Sequence, residues 1–376
     1  MKRIDLVKPV LGEEEIEQIR ETFESGWVAG QGEKSAELVE RMQEVYGFAH
    51  AVPLNNCTAA LHLALLSLGI QEGDDVLVAD YTFPATGHSV LYVGAHPIFV
   101  DIDRATYNLD VADAKRKITD KTKAIICVHT FGQMCDMDLI NQFARENNLK
   151  VIEDCACAIG ATYKGRYAGT FGDAACFSFH ARKNITCGEG GLLVMKDPDA
   201  FDRAKRLSCF GMQSAYAREK QDELSIPSFT ERGYNYKLSD INSAILIAQI
   251  NRYEGMLEKK RDLVERYEDN LKELDWIEAP MVSPQCTHVY QSFVCLAQDQ
   301  GTRNRLINGL KSMNIFTQIG TYSSCVQPVY DAPKDCTTSI DVYNRAIALP
   351  LHPSLSHEDI DQVVSAMKKI IGEIDE

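Results

Sequence analysis

The stretch FSFHARKNITCGEGG, residues 177–191, holds the residue types best suited to chemistry. It opens with a strand pattern and ends in glycines, so Lys183 is predicted to lie in a loop just past the carboxyl end of a strand. That is where α/β sheets place their ligands. A lysine amine there can form an imine with a carbonyl carbon, and the polar Ser178 and His180 can face the same cleft. The alternative is a solvated loop lysine, because most lysines are exposed.

A pair of carboxylates, Glu153 and Asp154, ends the apolar run in LKVIEDCACAIGA, residues 149–161. Val151 and Ile152 indicate a buried strand, so Asp154 also lies at the carboxyl end of a strand. A carboxylate in that place is suited to keeping a ring nitrogen protonated. The alternative role is a cap for a following helix, and the position is compatible with both roles.

Two more stretches offer an anion site and an aromatic surface. In NNCTAALHLAL, Thr58 lies at the start of an apolar helix, whose free backbone amides and side-chain hydroxyl can bind a phosphate. In DYTFPAT, Phe83 follows a strand and can stack on a planar ring, with core packing as the alternative. Together the four stretches supply a phosphate site, a stacking ring, an acid for a pyridine nitrogen and a lysine for an imine. Pyridoxal 5′-phosphate is the common cofactor that needs all four.

The elements that must position these residues alternate between strand and helix patterns. Helices are predicted over residues 13–24, 33–46 and 136–147 and in CTAALHLALLSLG. Strands are predicted at DVLVA, HPIFV, KAIICV and LKVIE, and two more, over 174–179 and 192–196, follow one another without a helix. The alternation predicts an α/β fold with a mostly parallel sheet and helices on both of its faces.

A change of pattern near residue 250 predicts two domains, since 376 residues exceed one ordinary core. A long helical pattern runs from Ser239 to about residue 274. Later come strand patterns over 290–296 and 347–350, then a last helix opened by Ser356 with Asp359 at its third position. We expect a large domain over residues 1–250, a smaller α+β domain over 251–376, and the first dozen residues packed on the smaller domain.

Composition excludes several classes of partner. Lys and Arg number 39 against 54 Asp and Glu, a net charge of −15 that opposes binding to nucleic acid or to an anionic membrane. No apolar run approaches the ~20 residues of a membrane-spanning helix, so we expect a cytoplasmic protein. The 12 cysteines show neither a C-x-x-C pair nor zinc-ligand spacing, which predicts reduced core thiols and no metal site.

In this order the motifs resemble those of the DegT/DnrJ/EryC1/StrS aminotransferases. The resemblance covers nearly the whole chain, through SGWVAGQG, TAALHLAL, FVDIDRATYNLD, VHTFGQMCDMD, SFHARKN, TCGEGG, GYNYKLSD and IALPLHPSLS. It implies a fold-type-I pyridoxal-phosphate enzyme. It also implies amino transfer from glutamate to a nucleotide-linked keto-sugar, of the 4-keto-6-deoxyhexose type.

The resemblance gives each cofactor residue a role. Lys183 would be the Schiff-base lysine, and Asp154 would pair with the pyridine nitrogen. The phosphate would be bound by Thr58, the backbone of Ala59 and Ser178. The other positions implied near the cofactor are Cys57, Cys157 and the stacking ring of Phe83.

Other residues are implied to meet the substrate or a second subunit. Asn235, in GYNYKLSD, would reach the phosphate of the neighbouring subunit, which implies a homodimer with shared active sites. The residues implied on the substrate side are His129, His180 and Tyr322.

The sequence departs from the common family pattern in four places. Cys157 stands where a Gln is frequent, Cys57 where a Gly is usual, and Arg182 where a Thr is frequent before the lysine. The segment QIGTYSSC replaces a G-I-H-Y segment of the carboxyl domain. These changes leave the imine chemistry intact and leave the identity of the sugar open.

Three other functions share part of this pattern. A dehydratase branch of the family has a histidine in place of the lysine, and Lys183 argues against that reaction. A non-catalytic regulator would not need every chemical residue to be retained. Amination of a small cyclic ketone that carries no nucleotide shares all of the motifs and stays open.

Overall fold

A seven-stranded sheet forms the centre of the structure, a computed structural model that describes residues 2–213 and 226–372. The strands are β1 (Ala51–Leu54), β2 (Asp75–Ala79), β3 (Tyr81–Thr82), β4 (His96–Val100), β5 (Thr122–Val128), β6 (Lys150–Asp154), β7 (Thr162–Tyr163), β8 (Arg166–Tyr167), β9 (Ala174–Ser178), β10 (Gly191–Met195), β11 (Ile277–Glu278), β12 (Cys286–Thr287), β13 (Phe293–Ala297), β14 (Gln318–Ile319), β15 (Tyr322–Ser323) and β16 (Ala346–Leu349). The α-helices are α1 (Glu13–Ser25), α2 (Glu33–Tyr46), α3 (Cys57–Ser67), α4 (Ala85–Tyr92), α5 (Val111–Lys117), α6 (Met137–Glu146), α7 (Pro198–Ser208), α8 (Asp240–Asn251), α9 (Tyr253–Leu271), α10 (Gln300–Ser312), α11 (Thr337–Arg345) and α12 (His357–Ile371).

The central sheet has the strand order β1-β10-β9-β6-β5-β2-β4. The five strands from β9 to β4 are parallel, whereas β10 runs antiparallel to both of its neighbours. The reversal follows from the loop between β9 and β10, which returns the chain without a crossover helix. The predicted mostly parallel sheet is confirmed.

Apolar strands with two buried faces explain why this sheet lies in the interior. Along β2, Leu77 packs into one hydrophobic cluster, while Val76 and Val78 pack into another. Successive side chains of a strand point to opposite faces, so each face needs its own cover. Helices α2, α6 and α8 cover one face, and α3, α4 and α7 cover the other, which confirms the prediction of helices on both faces.

A second sheet, of order β11-β13-β16-β14, is antiparallel. Its core combines side chains of α9, α10 and α12 with Ile4 near the amino terminus. Ile4 forms a bridge with Ile315, which ties the first residues to this part of the chain. The predicted cap of α12 is confirmed, because Ser356 and Asp359 form a reciprocal capping box.

Two boundaries differ from the sequence prediction. The long helix expected from Ser239 is two helices, α8 and α9, because the backbone of Arg252 leaves the helical conformation at φ −113° and ψ 6°. Its guanidinium donates to the Val10 carbonyl and to Glu15. The strand expected from Tyr290 begins at Phe293, since Tyr290 has a positive φ of 45°. None of the helices that the structure describes is long and apolar enough to cross a membrane.

Candidate active site

The carboxyl ends of β6 and β9 bring the predicted lysine and aspartate to one edge of the central sheet. Asp154 is the last residue of β6, and Ser178 is the last residue of β9, next to it in the sheet. The loop after β9 turns back on itself, with the Lys183 amide donating to the His180 carbonyl at 2.9 Å. Lys183 and Asp154 therefore lie where parallel sheets bind their ligands.

The side chain of Lys183 points at a thiol. Its Nζ donates to Sγ of Cys157 at 3.2 Å, which joins the loop after β9 to the turn that follows β6. Burial disfavours the charged amine, but Cys157, Cys57 and Asp154 favour it, and the pKa of Lys183 is raised from its ordinary value. A bound cationic ring beside the amine would act in the opposite direction.

Asp154 is a buried carboxylate with two hydrogen-bond donors from the described residues. Oδ2 accepts from the Thr86 hydroxyl at 2.8 Å, and Oδ1 accepts from the Ala156 amide at 3.1 Å. Burial raises the pKa of Asp154, although these donors and the charge of Lys183 act against the shift. A cationic N–H partner would lower this raised pKa and would restore the charged form. Thr86, in the first turn of α4, is a site residue that the sequence analysis missed.

The start of α3 offers donors for an anion. Thr58 is half-buried in the first turn, and Asn56 caps the helix by accepting from the Ala59 amide at 2.8 Å. The amide of Ala59, predicted to bind phosphate, is thus already paired with Asn56. Gly191 of β10 passes close by, and a Cβ there would lie only 2.4 Å from the Asn56 carbonyl carbon, so this approach requires glycine. Ser178 is buried near the same end of the sheet.

Phe83 lies on the surface beside the site with 65% of its area exposed, so the alternative of core packing is wrong. Strand β3 pairs with β15, which sets Tyr322 edge-on to Phe83 with ring centroids 6.2 Å apart. His180 is partly exposed, and its Nε2 lies 3.6 Å from Glu189. These three side chains, two predicted for the substrate and one for the cofactor, are accessible to a ligand.

The prediction that His129 meets the substrate is wrong. The side chain has no exposed area, and both ring nitrogens are already used. Nδ1 accepts from the Cys135 amide at 3.2 Å, and Nε2 lies 3.0 Å from Glu153, which fixes the proton on Nε2. Its partner Glu153 also accepts from three backbone amides of the 169–172 loop. The pair holds that loop against the sheet.

The remaining predicted residues divide between the site and the surface. Cys57 is buried at the start of α3, close enough to Lys183 and Asp154 for their charges to act on it. Asn235 is exposed, and its Oδ1 accepts from Lys237 at 2.5 Å instead of contacting the residues above. Ten of the 12 cysteines are buried, which confirms that most are core thiols.

Comparisons with known proteins agree with this geometry. The model of the DegT/DnrJ/EryC1/StrS aminotransferase family matches residues 9–368. The chain is 36% identical over 374 residues to the GDP-perosamine synthase of Escherichia coli O157:H7, covering 99% of this chain and 100% of that protein. The aminotransferase TlmJ from Streptoalloteichus hindustanus has a similar structure, with a TM-score of 0.93, 26% identity and full coverage of both chains. The PLP form of Spr1654 from Streptococcus pneumoniae gives a TM-score of 0.92 at 26% identity, also with full coverage of both chains.

Proposed function

Because the chain belongs to the DegT/DnrJ/EryC1/StrS aminotransferase family, we propose that it transfers an amino group from glutamate to a nucleotide-linked keto-sugar. Family membership makes it a pyridoxal-phosphate-dependent transaminase. The observation that carries the proposal is the meeting of Lys183, Cys157 and Asp154 at one edge of the central sheet. The relative named GDP-perosamine synthase supports an acceptor linked to a nucleotide.

The residues of the site fit the cofactor in their chemistry. Asp154 is a buried carboxylate whose raised pKa leaves it in need of a cationic N–H partner, which a pyridine nitrogen provides. Phe83 offers an exposed aromatic face for the ring. The hydroxyls of Thr58 and Ser178 and the amino terminus of α3 supply donors for a phosphate. The Ala59 amide would have to break its hydrogen bond with Asn56 before it could donate to the phosphate.

Each chemical residue then has a defined task. When bound, pyridoxal phosphate supplies an electron sink for the carbon that gains or loses the amino group. Lys183 would hold the cofactor covalently, and its freed amine would carry a proton between the substrate carbon and C4′. Asp154 would keep the ring nitrogen protonated, with Thr86 fixing the carboxylate in place. Cys157, in contact with Nζ, would orient the lysine.

The acceptor would bind on the exposed side of the site. Tyr322 and His180 are accessible there, and the pairing of β15 with β3 sets Tyr322 beside Phe83. A phenol and an imidazole can both hydrogen-bond to sugar hydroxyls. Of the three residues expected on the substrate side, His129 is left out, because its Nε2 is hydrogen-bonded to buried Glu153.

The active unit would be a homodimer in which Asn235 serves the partner's site. Exposed Asn235 lies near Phe210, which is 47% exposed and stacks under the Lys237 ammonium that also binds Asn235. Exposed apolar side chains also follow α1, at Trp27 and Val28. Aromatic side chains such as Phe210 and Trp27 are enriched in the cores of protein interfaces.

The location would be the cytoplasm. All 12 cysteines are free thiols in the structure, and ten of them are buried. Such usage supports a reducing compartment.

A substrate screen tests the proposed function. Purified holoenzyme is incubated with glutamate and with GDP-, dTDP- or UDP-linked 4-keto-6-deoxyhexoses, and the products are analysed by mass. We expect the mass of an amino-sugar nucleotide together with 2-oxoglutarate, and no such product from Lys183→Ala. Amination of a small cyclic ketone alone, or loss of water without amination, would contradict the proposal.

A further inference from the structure

A cleft beside Lys183 contains basic side chains that the proposed reaction does not yet use. Its walls come from residues 7–10, from the loop that contains Arg182 and Lys183, from Lys260 of α9 and from His352 after β16. We propose that this cleft binds a carboxylate of the amino donor. The inference rests on the proposed function and names the binding site of its donor.

Lys260 is the strongest observation. Only 5% of its area is exposed, and among residues 2–213 and 226–372 its hydrogen-bond acceptor is the neutral Oδ1 of Asn184, at 2.7 Å. A buried cation without an anionic partner is costly, and burial lowers the pKa of Lys260 to about 7. A bound carboxylate would supply the missing negative charge and restore the charged amine.

His352 adds a second group that needs a ligand. It is 5% exposed, and its Nδ1 has no hydrogen-bond partner among the residues described. Burial and the charges of Lys8 and Lys260 lower the pKa of His352 to about 4, against the opposing charge of Asp5. An anion in the cleft would favour the protonated ring, in which Nδ1 can donate.

The other lining groups favour a small anion. Lys8 and Arg182 are exposed at the rim and add positive charge. The side-chain amides of Gln249 and Gln291 already donate to backbone carbonyls, so the basic side chains are the groups left to bind the anion. The cavity volume of ≈20 Å³ gives room for a small group such as a carboxylate. Because Lys183 lines the same cleft, the carboxylate would lie close to the residue whose amine the reaction uses.

Glutarate is the probe for this site, because it has two carboxylates but no amino or keto group and cannot react. Binding to the holoenzyme is measured by calorimetry for wild type, Lys260→Met and the exposed control Lys259→Met. We expect Lys260→Met to weaken glutarate binding about tenfold or more, as for a lost charged hydrogen bond, and Lys259→Met to leave it unchanged. His352→Gln is also expected to weaken glutarate binding. It replaces Lys260→Met as the test variant if Lys260→Met does not fold.

Parallel titrations with GDP and inorganic phosphate identify the occupant. We expect Lys260→Met to leave GDP affinity unchanged, and phosphate to compete weakly with glutarate. An equal loss for GDP would assign the cleft to the nucleotide, and phosphate binding as tight as glutarate would make it a general anion site. Either result overturns the proposal.

The two half-reactions separate binding from positioning. Lys260→Met should raise the glutamate concentration needed for half-maximal conversion of the cofactor, with the sugar half-reaction unaffected. If both half-reactions slow equally and glutarate binding is unchanged, Lys260 only holds the Lys183 loop through Asn184, and the proposal fails. Glutarate binding needs no turnover, so an enzyme that aminates no nucleotide sugar would refute the proposed function and leave this test intact.

Discussion

Two adjacent carboxylates of β6 show how environment divides roles between similar residues. Side chains alternate along a strand, so Glu153 and Asp154 face opposite sides of the sheet. Glu153 is saturated by His129 and three backbone amides, and these donors outweigh burial and lower its pKa. Asp154 has donors from Thr86 and Ala156, and burial raises its pKa. Of the two carboxylates, Asp154 is therefore the one that can bind a further cationic partner.

The first residue-scale prediction concerns the attachment of the cofactor. We expect the purified holoenzyme to absorb visible light and to lose that band on reduction with borohydride, because Lys183 is the lysine beside Asp154 and Cys157. Peptide mapping should then find the cofactor mass on the peptide that contains Lys183. The unreduced digest is the control, and a label on another lysine would contradict the assignment.

The second prediction concerns Asp154→Asn. A neutral amide cannot stabilise a protonated ring nitrogen, so we expect turnover to fall by at least about 100-fold while the cofactor still attaches to Lys183. Single-turnover rates and visible absorbance measure the two effects separately. Asp120→Asn, an exposed aspartate, is the matched control. Near wild-type turnover would make Asp154 a structural residue.

The sequence predicted the positions of Lys183 and Asp154 because the ends of apolar strands are readable as patterns. It did not predict that the His129 side chain points into the core. That orientation depends on the neighbouring strand, because Glu153 of β6 forms a hydrogen bond with Nε2 of His129. The contact of Thr86 with Asp154 depends on how α4 packs against the central sheet, which no local pattern encodes. The roles carried over from the family for individual site residues stay predictions.

At the scale of elements, the loop of residues 169–172 depends on one buried side chain. Its amides at Gly169, Phe171 and Gly172 donate to Glu153 at 2.7–3.0 Å. This loop leads directly into β9 and so towards Ser178 and Lys183. Anchoring it to β6 therefore contributes to the placement of the lysine.

Glu153→Gln should destabilise the fold by about 3 kcal/mol at pH 7, because it removes the charge that four donors stabilise. Since the pKa of Glu153 is lower in the folded state, its contribution is full above the unfolded pKa and is lost as pH falls through the folded pKa. The part of the difference that comes from the Glu153 charge should thus shrink below about pH 4. Urea unfolding at several pH values measures it.

The matched control for this test is Glu146→Gln, an exposed glutamate at the end of α6. We expect a change within about 0.5 kcal/mol for this surface substitution. A pH-independent difference for Glu153→Gln would show that the charge of Glu153 is not what stabilises the loop.

The strands of the central sheet other than β1 were predicted, because apolar runs bounded by polar residues are readable as strands. Helices α1, α2, α3, α6 and α12 were predicted from their helical patterns, whereas α4, α5, α7, α10 and α11 were not. The short β1 was missed, since Pro53 interrupts its pattern, yet it pairs with β10 at the sheet edge. The break between α8 and α9 was missed because Arg252 is held by Val10 and Glu15, which are distant in sequence. Such contacts are set by tertiary packing and not by local preference.

At the scale of the whole molecule, the amino-terminal segment connects two parts of the chain. Ile4 packs in the core beside the second sheet, whereas Val10 receives hydrogen bonds from Gln249 and Arg252 at the junction of α8 and α9. The division of the chain near residue 250 stays a prediction. The segment lines the cleft beside Lys183, so its position bears on the site as well as on stability.

Asn235 allows a test of the shared active site. If it binds the phosphate of the opposite subunit, each site takes Lys183 from one chain and Asn235 from the other, as two-fold symmetry requires. Lys183→Ala and Asn235→Ala should each be impaired alone. A heterodimer of the two variants would contain one site with both defects and one site with neither. We therefore expect the heterodimer to have about half of the wild-type activity and a fully exchanged equal mixture to recover to about a quarter.

Subunit exchange has to be verified first, by mass or by differently tagged chains, because unexchanged homodimers would show no recovery. A mixture of Lys183→Ala with Asp154→Asn is the matched control: both changes fall on the same chain's site, so exchange restores no intact site. Recovery in the first mixture and none in the second would establish that Asn235 acts across the interface. Exchanged heterodimers without recovery, or an active monomer in sedimentation, would return Asn235 to the role that the isolated chain shows, a surface residue bound to Lys237.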